Sequence, residues 1–316
     1  MSKKAGAILL AGAAIGGLVL YERSRVTVDA RKLLTVDQLK AQVQTAQATA
    51  DNPVDKFLSS SFVQHAPISG RTQFIFTSPQ EENAMGLASY KQIVASSKIC
   101  NDPAVTQILQ RVGWRIAAVV PPQGFNWVFT LLNSNTVNAF CLPGGEVCVY
   151  TAILPFCQNE AGLATVLGHE ISHAIARHGG ERMTETGIIQ KVQTGFDSVL
   201  KAVKLPASLE SAAMTAFGSA ANVGVNWPFS RMQESEADDM GLDYMAAAGY
   251  DPREAIAFWT RFSKATGAKK PAWLSDHPSD ESRIDDIKSR VETAMQYYDK
   301  SPQYGAGDVL PGVKCA

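Results

Sequence analysis

The window Leu167-Gly168-His169-Glu170-Ile171-Ser172-His173 constrains this chain more than any other. It sets two imidazoles and a carboxylate in a stretch whose other residues, Leu163, Val166, Leu167, Ile171, Ala174 and Ile175, are too apolar for a solvent-facing helix. At roughly 100° per residue the two histidines stand about 40° apart on the helical wheel and one turn apart along it, so both rings reach one metal ion. Buried imidazoles and a buried carboxylate need partners, and a metal supplies them. Zinc on two neutral histidines keeps a position open for water, lowers that water's pKa toward about 7, and needs a nearby carboxylate to take the proton. Glu170 fits that role. His178, about half a turn from His169 on the wheel, reads as a helix C-terminal residue that faces away from the metal, ahead of a Gly179-Gly180 stop.

A catalytic zinc takes a third protein ligand. Downstream, Ser230 to Asp239 forms an acidic cluster on an expected helix, in which Glu234 and Asp238 stand four apart on one face. That suits Glu234 as ligand and Asp238 as the acceptor of an imidazole N–H, which fixes the tautomer and orientation of the ligating ring. Glu236 points about 200° from Glu234, and geometry alone equally admits Glu236 with Asp239.

Around this centre the hydrophobic period changes twice. Ser78-Pro79-Gln80-Glu81 opens a helix to about Ser97, and Asp102-Pro103 opens another to about Val119 with Val105, Ile108, Leu109, Val112 and Ile116 as its apolar stripe. Asn126 to Leu132, Val137 to Leu142 and Glu146 to Thr151 then alternate like strands, separated by Asn133-Ser134-Asn135 and Pro143-Gly144-Gly145, which predicts a small antiparallel sheet. From Asn159 onward four to six helices are expected, broken at Gly179-Gly180, Lys204-Leu205-Pro206, Gly249 to Pro252 and Lys269 to Pro271. A short polar helix is expected from Thr35 to Ala50. Five cysteines are too few for a disulfide scaffold, so cysteine is not expected to organise the fold; Cys141 and Cys148 flank the hairpin turn as two buried thiols or as a disulfide across it.

The N-terminus carries Lys3 and Lys4, an uncharged apolar run from Ala5 to Leu20, then Tyr21-Glu22-Arg23. The run falls between a signal-peptide core of about 7 to 15 residues and a spanning helix of roughly 20. No small-x-small cleavage site follows it, so an uncleaved membrane anchor with an exported body is expected, a removed signal peptide being the alternative. With 29 basic against 30 acidic residues and no run of one sign, the chain has no field to attract nucleic acid. The expected organisation is a signal-anchor or signal peptide over 1–25, an N-terminal extension over 26–78, a metallopeptidase domain over 79–299 and a C-terminal tail over 300–316.

From about Glu82 to Arg283 the chain resembles the HtpX, BepA and Oma-type zinc metallopeptidases, a gluzincin family that includes the CaaX prenyl proteases. The resemblance rests on Asn138 to Gly145, on the helix through His169 and Arg177 to Met183, on Ser230-Arg231 before Glu234-x-x-Ala237-Asp238, and on His277-Pro278 with Arg283. It implies Glu234 rather than Glu236 as the third ligand of one zinc per chain. It also implies an α+β, mostly helical zincin-like fold with a small antiparallel sheet beside the active-site helix. A polypeptide substrate would then add as a strand along Asn138, Ala139, Phe140, Gly144 and Gly145. The resemblance draws the His277 loop toward the zinc, either in its open position at rest or as an oxyanion donor in turnover. The implied function is a membrane-associated endopeptidase that hydrolyses misfolded or unassembled membrane and envelope proteins. Its place would be the inner membrane of a cell envelope with a periplasmic catalytic domain, or the mitochondrial inner membrane in a eukaryote. The alternative is a gated protease acting mainly as a chaperone-like holding or assembly factor. Unlike HtpX and the prenyl proteases, the chain has no long apolar run after residue 20, which argues against cleavage inside a bilayer.

Overall fold

The computed structural model describes residues 63–66, 70–184, 231–265, 272–277 and 283–315. The expected anchor, the polar helix Thr35 to Ala50 and the breaks at Lys204 to Pro206 and Lys269 to Pro271 lie outside the described residues. Among the described residues no helix is long and apolar enough to cross a membrane. The chain divides into two compact units. In one, β1 (Val63–His65) and β2 (Thr72–Phe74) pair antiparallel with Gln64 opposite Gln73. The other, Ala66–Arg71, Thr77–Arg182 and Pro228–Ala316, holds the numbered elements that follow, from α1 (Pro79–Ser96) to α8 (Arg283–Tyr298).

Capping chemistry starts the helices where the sequence places them. Ser78 and Glu81 form a reciprocal capping box ahead of α1 (Pro79–Ser96), and Asp102 accepts from the first free N–H groups of α2 (Pro103–Ala117), whose apolar stripe is buried. Next come β3 (Val128–Leu132), β4 (Ala139–Cys141) and β5 (Glu146–Tyr150). Gly144 and Gly145 take φ of 106° and 99°, which only glycine adopts freely, and so turn β4 back into β5. That hairpin is antiparallel as expected, but the sheet is mixed. Its order is β3-β5-β4, with β3 parallel to β5 and Val128 opposite Glu146. The hairpin inserts its second strand beside β3, a pairing no turn residue announces, and β4 is left at the edge.

Of the two readings of Cys141 and Cys148, the structure bears out the free thiols, while a disulfide elsewhere departs from expectation. Cys141 lies opposite Val147 and Cys148 opposite Phe140, so the two sulfurs are one register position apart and point to opposite faces; both are free thiols. The disulfide joins Cys100 to Cys315 across 215 residues and fastens the C-terminal tail beside the start of α2. That tail is structural. Its Asp308 and Ala306 carbonyls accept from the Glu160 and Ala161 N–H groups at 3.0 Å each, capping donors that a helix start would otherwise leave unmet.

A short helix, α3 (Leu154–Cys157), leads into α4 (Glu160–Ile175), every residue of which is buried. The remaining elements are α5 (Arg231–Ala247), α6 (Arg253–Ala265), α7 (Ala272–Asp276) and α8 (Arg283–Tyr298). Helix α5 lies between α4 and α8. Its axis comes so close to α4 that a Cβ on Gly168 would sit 2.7 Å from the Gly241 carbonyl oxygen, so the crossing requires glycine. Phe258, Phe262 and Trp273 fill the adjoining core. Beyond α4 the expected stop at Gly179-Gly180 is absent: Arg177 takes φ +55°, and the chain is helical again over 178–184, with both glycines inside it.

Candidate active site

Helix α4 turns His169 and His173 to one side, with their Nε2 atoms 3.1 Å apart. The close crossing brings Glu234 from α5 against both, Oε2 at 3.5 Å from His169 Nε2 and Oε1 at 3.4 Å from His173 Nε2. His277, just after α7, closes the group, its Nδ1 3.0 Å from Glu234 Oε1 and 3.2 Å from His169 Nε2. One donor atom from each of these four buried residues lies within 4.8 Å of all the others. Three buried imidazoles and a buried carboxylate converging on one point are a donor set that suits a borderline divalent cation, so the residues present fit a catalytic metal.

Three of the four are held from behind, as is Glu170 beside them. His169 Nδ1 is 2.9 Å from Asp238 Oδ1, and Arg283 donates to the same Asp238 oxygen at 2.7 Å and to Glu234 Oε2 at 3.2 Å. The Arg283 guanidinium lies over the Trp259 ring at 3.7 Å from its centroid. Glu170 Oε1 accepts from Trp273 Nε1 at 2.6 Å. His173 Nδ1 is 2.8 Å from His178 Nδ1, and His178 Nε2 is 3.1 Å from Glu236 Oε2. The expectation that His178 ends a helix and faces away is therefore wrong: the bend at Arg177 swings its ring back against His173. Glu236 and Asp239 are not a ligand pair; Glu236 backs His178, and Asp239 lies 3.8 Å from Arg290 on the outer side of α5.

The charges follow from this packing. Burial pushes the Glu170 carboxyl up, against the pull of His277 and His169. Burial works against a charged His169, yet its contacts with Asp238 and Glu234 raise it to about 9. His173 is held well below the ordinary histidine range, chiefly by burial. Glu234 and Asp238 stay low in spite of burial, Glu234 foremost through His277 and Asp238 foremost through Arg283.

The edge strand β4 lies alongside. Asn138 and Phe140 are half-buried, Ala139 is buried, and Gly144 and Gly145 form the turn. A cleft lined by Phe125, Cys141, Pro143, His173, Ala174 and Arg177 joins this edge to the histidine cluster. Trp273, Trp259 and the supporting role of His178 escaped the sequence reading. A tryptophan four residues before a histidine-proline pair is the one signal that could have found Trp273.

Residues 101–291 match the sequence model of peptidase family M48. The chain is 34% identical over 251 residues to the mitochondrial metalloendopeptidase OMA1 of Schizosaccharomyces pombe, covering 77% of this chain and 70% of that protein. It is 30% identical over 256 residues to the protein of the same name from Saccharomyces cerevisiae, covering 75% and 71%. Similarity to the beta-barrel assembly-enhancing protease of Escherichia coli is 29% over 215 residues, 67% of this chain and 44% of that one.

Proposed function

The chain belongs to peptidase family M48 and is a metalloendopeptidase; from that premise we propose that His169, His173 and Glu234 hold one zinc ion and that Glu170 is the general base. The observation that carries this is the four-residue donor cluster with the Glu170 carboxylate beside it, 3.5 Å from His277. When bound, zinc would lower the pKa of water at its open position and polarise the scissile carbonyl. The protein's part is proton handling and orientation. Trp273 N–H fixes the Glu170 carboxylate through Oε1, and its raised affinity for a proton suits it to take one from the attacking water and pass it to the leaving amine nitrogen. Asp238 and Arg283 hold His169 and Glu234 in place. The substrate backbone pairs with the β4 edge from Asn138 to Phe140, so recognition is broad in sequence; Gly144 and Gly145, expected on that strand, are instead buried, with their carbonyls accepting from Asn126 and Val128.

Relatives named as mitochondrial metalloendopeptidases and assembly-enhancing proteases, together with the apolar run Ala5 to Leu20, support an enzyme anchored through residues 1–25. Its catalytic domain would span 79–299, braced by the tail 300–316 and preceded by the extension 26–78. Its substrates would be misfolded or unassembled proteins of a cell envelope or a mitochondrial inner membrane. A second reading, a gated protease that holds clients, is favoured by one observation. His277 sits 3.0 Å from Glu234 Oε1, inside the donor set, where it would occupy the metal's open position until displaced.

The test is zinc content together with hydrolysis of an unfolded protein, for wild type and Glu170→Gln. Both are expected to bind about one zinc per chain, with cleavage falling by about 10²–10⁴-fold in the variant. Absence of zinc from both, or full activity in Glu170→Gln, overturns the proposal. Zinc in both with cleavage in neither transfers support to the holding reading.

A further inference from the structure

We propose that His178 and Glu236 are positioning residues of the metal centre, which together fix the tautomer and orientation of His173, and that the bend at Arg177 brings them there. The inference rests on the reading of His173 as a ligand through Nε2. A ligating Nε2 must be bare, so the ring carries its proton on Nδ1, and that N–H needs an acceptor. The atom facing it at 2.8 Å is His178 Nδ1, which accepts only if His178 is neutral with its own proton on Nε2. Glu236 selects that tautomer: its Oε2, an acceptor only, lies 3.1 Å from His178 Nε2. Glu236 is held in turn by Arg71, whose Nε and Nη2 each lie 3.2 Å from the same oxygen and whose Nη1 pairs with Glu181 at 2.7 Å. The order of donation is therefore His173 to His178 to Glu236, and the bare His173 Nε2 is left facing His169 and Glu234.

An unbroken helix would not build this relay. His178 follows His173 by five residues, roughly 140° round the wheel. The φ of +55° at Arg177, a conformation non-glycine residues seldom take, breaks the helix and restarts it with His178 turned inward. The Arg177 side chain secures the bend from α1, with Nε 3.0 Å and Nη2 2.7 Å from the two Glu82 carboxylate oxygens and Nη2 also 2.7 Å from the Thr77 carbonyl. His178 is wholly buried, as a relay between a ligand and a carboxylate should be.

The experiment compares zinc affinity, by competition with a chelator, in wild type, His178→Asn and His178→Phe, with circular dichroism as the check of fold. Asparagine keeps an acceptor near the Nδ1 position but no N–H at the Nε2 position; phenylalanine keeps the ring and loses the acceptor as well. The expected result is a loss of about 10- to 100-fold for His178→Phe and a clearly smaller loss for His178→Asn. If His178 only fills space, the order reverses. That order, equal affinity in all three folded proteins, or equal loss in both variants overturns the inference. Should His178→Phe fail to fold, Glu236→Gln against Glu236→Leu asks the same question, because the glutamine carbonyl still accepts from His178 and leucine cannot; Glu236→Leu binding zinc as tightly as Glu236→Gln overturns the inference. A wild-type protein that takes up no zinc refutes the underlying ligand assignment, whereas wild-type uptake with unaffected variants refutes only the relay.

Discussion

His169 and His173 stand one turn apart on α4 with their Nε2 atoms 3.1 Å apart, yet the protein secures them by different chemistry. His169 leans directly on a carboxylate, Asp238, which is held by Arg283, which lies in turn over Trp259. His173 leans on a second imidazole, and its carboxylate, Glu236, is one step further away. The electrostatic result is opposite. Both rings are buried, but Asp238 and Glu234 raise His169 to about 9, while burial leaves His173 well below the ordinary range. A metal that bound through these two rings would therefore displace a proton at His169, whereas at His173 it would meet a neutral ring whose tautomer, on the proposed relay, is already set.

The sharpest way to break this comparison is to remove the direct support. Asp238→Ala takes away the acceptor for His169 and leaves the Arg283 cation, which donates to Asp238 at 2.7 Å, beside the metal position with less negative charge to balance it. Zinc affinity is expected to fall toward the upper end of the roughly 10- to 100-fold range for lost supporting groups, and further than in His178→Phe. Chelator competition measures both. A larger loss from His178→Phe would mean that the imidazole relay, not the carboxylate, is the main support.

The two sides also differ in what a sequence can reveal. Asp238 was legible because Glu234 and Asp238 repeat at four residues on a regular helix, where the wheel holds. His178 was misread because the wheel assumes unbroken α-helix, and no residue type announces a positive φ at an arginine. The same limit applies to the fold. Ser78, Asp102 and Asn159 mark helix starts by local capping, and Pro143-Gly144-Gly145 marks its hairpin, so those elements appear where expected. The parallel pairing of β3 with β5 and the Cys100–Cys315 disulfide join segments far apart in the chain, and nothing local to either partner encodes the other. Trp273 reaches Glu170 across 103 residues and was missed for the same reason.

The next effect is one of pH. Because the metal-free His169 holds a proton up to about 9, zinc binding at pH 7.5 should release about one proton per chain, and affinity should climb by about tenfold per pH unit until that value is passed. His173 adds nothing in this window, since burial keeps it neutral. Proton release measured in weak buffer distinguishes the sides: about one proton supports the difference, and two, or none, would erase it.

The smallest effect comes from the neighbour of Asp238. Asp239 touches neither histidine; burial, together with Asp238, Asp243 and Asp286, raises its carboxyl to about 6, against the pull of Arg290. Between its ordinary value near 3.8 and about 6, the folded chain holds a proton that the unfolded chain has lost, so stability falls as pH rises through that window and stays lower above it. Asp239→Asn removes this penalty at pH 7 but not at pH 4, where the folded carboxyl is already protonated. With the side chain 47% exposed, solvent screens the effect, and the gain is expected to be about 0.5 kcal/mol, or about 1–2 °C in Tm. Thermal unfolding at the two pH values tests the sign, and zinc affinity in the same variant tests the contrast with Asp238. An equal gain at both pH values would remove the titration from the account. A loss of zinc as large as that of Asp238→Ala would show that the α5 carboxylates act on the metal through their summed charge, and the distinction between one held histidine and the other would no longer rest on direct contact.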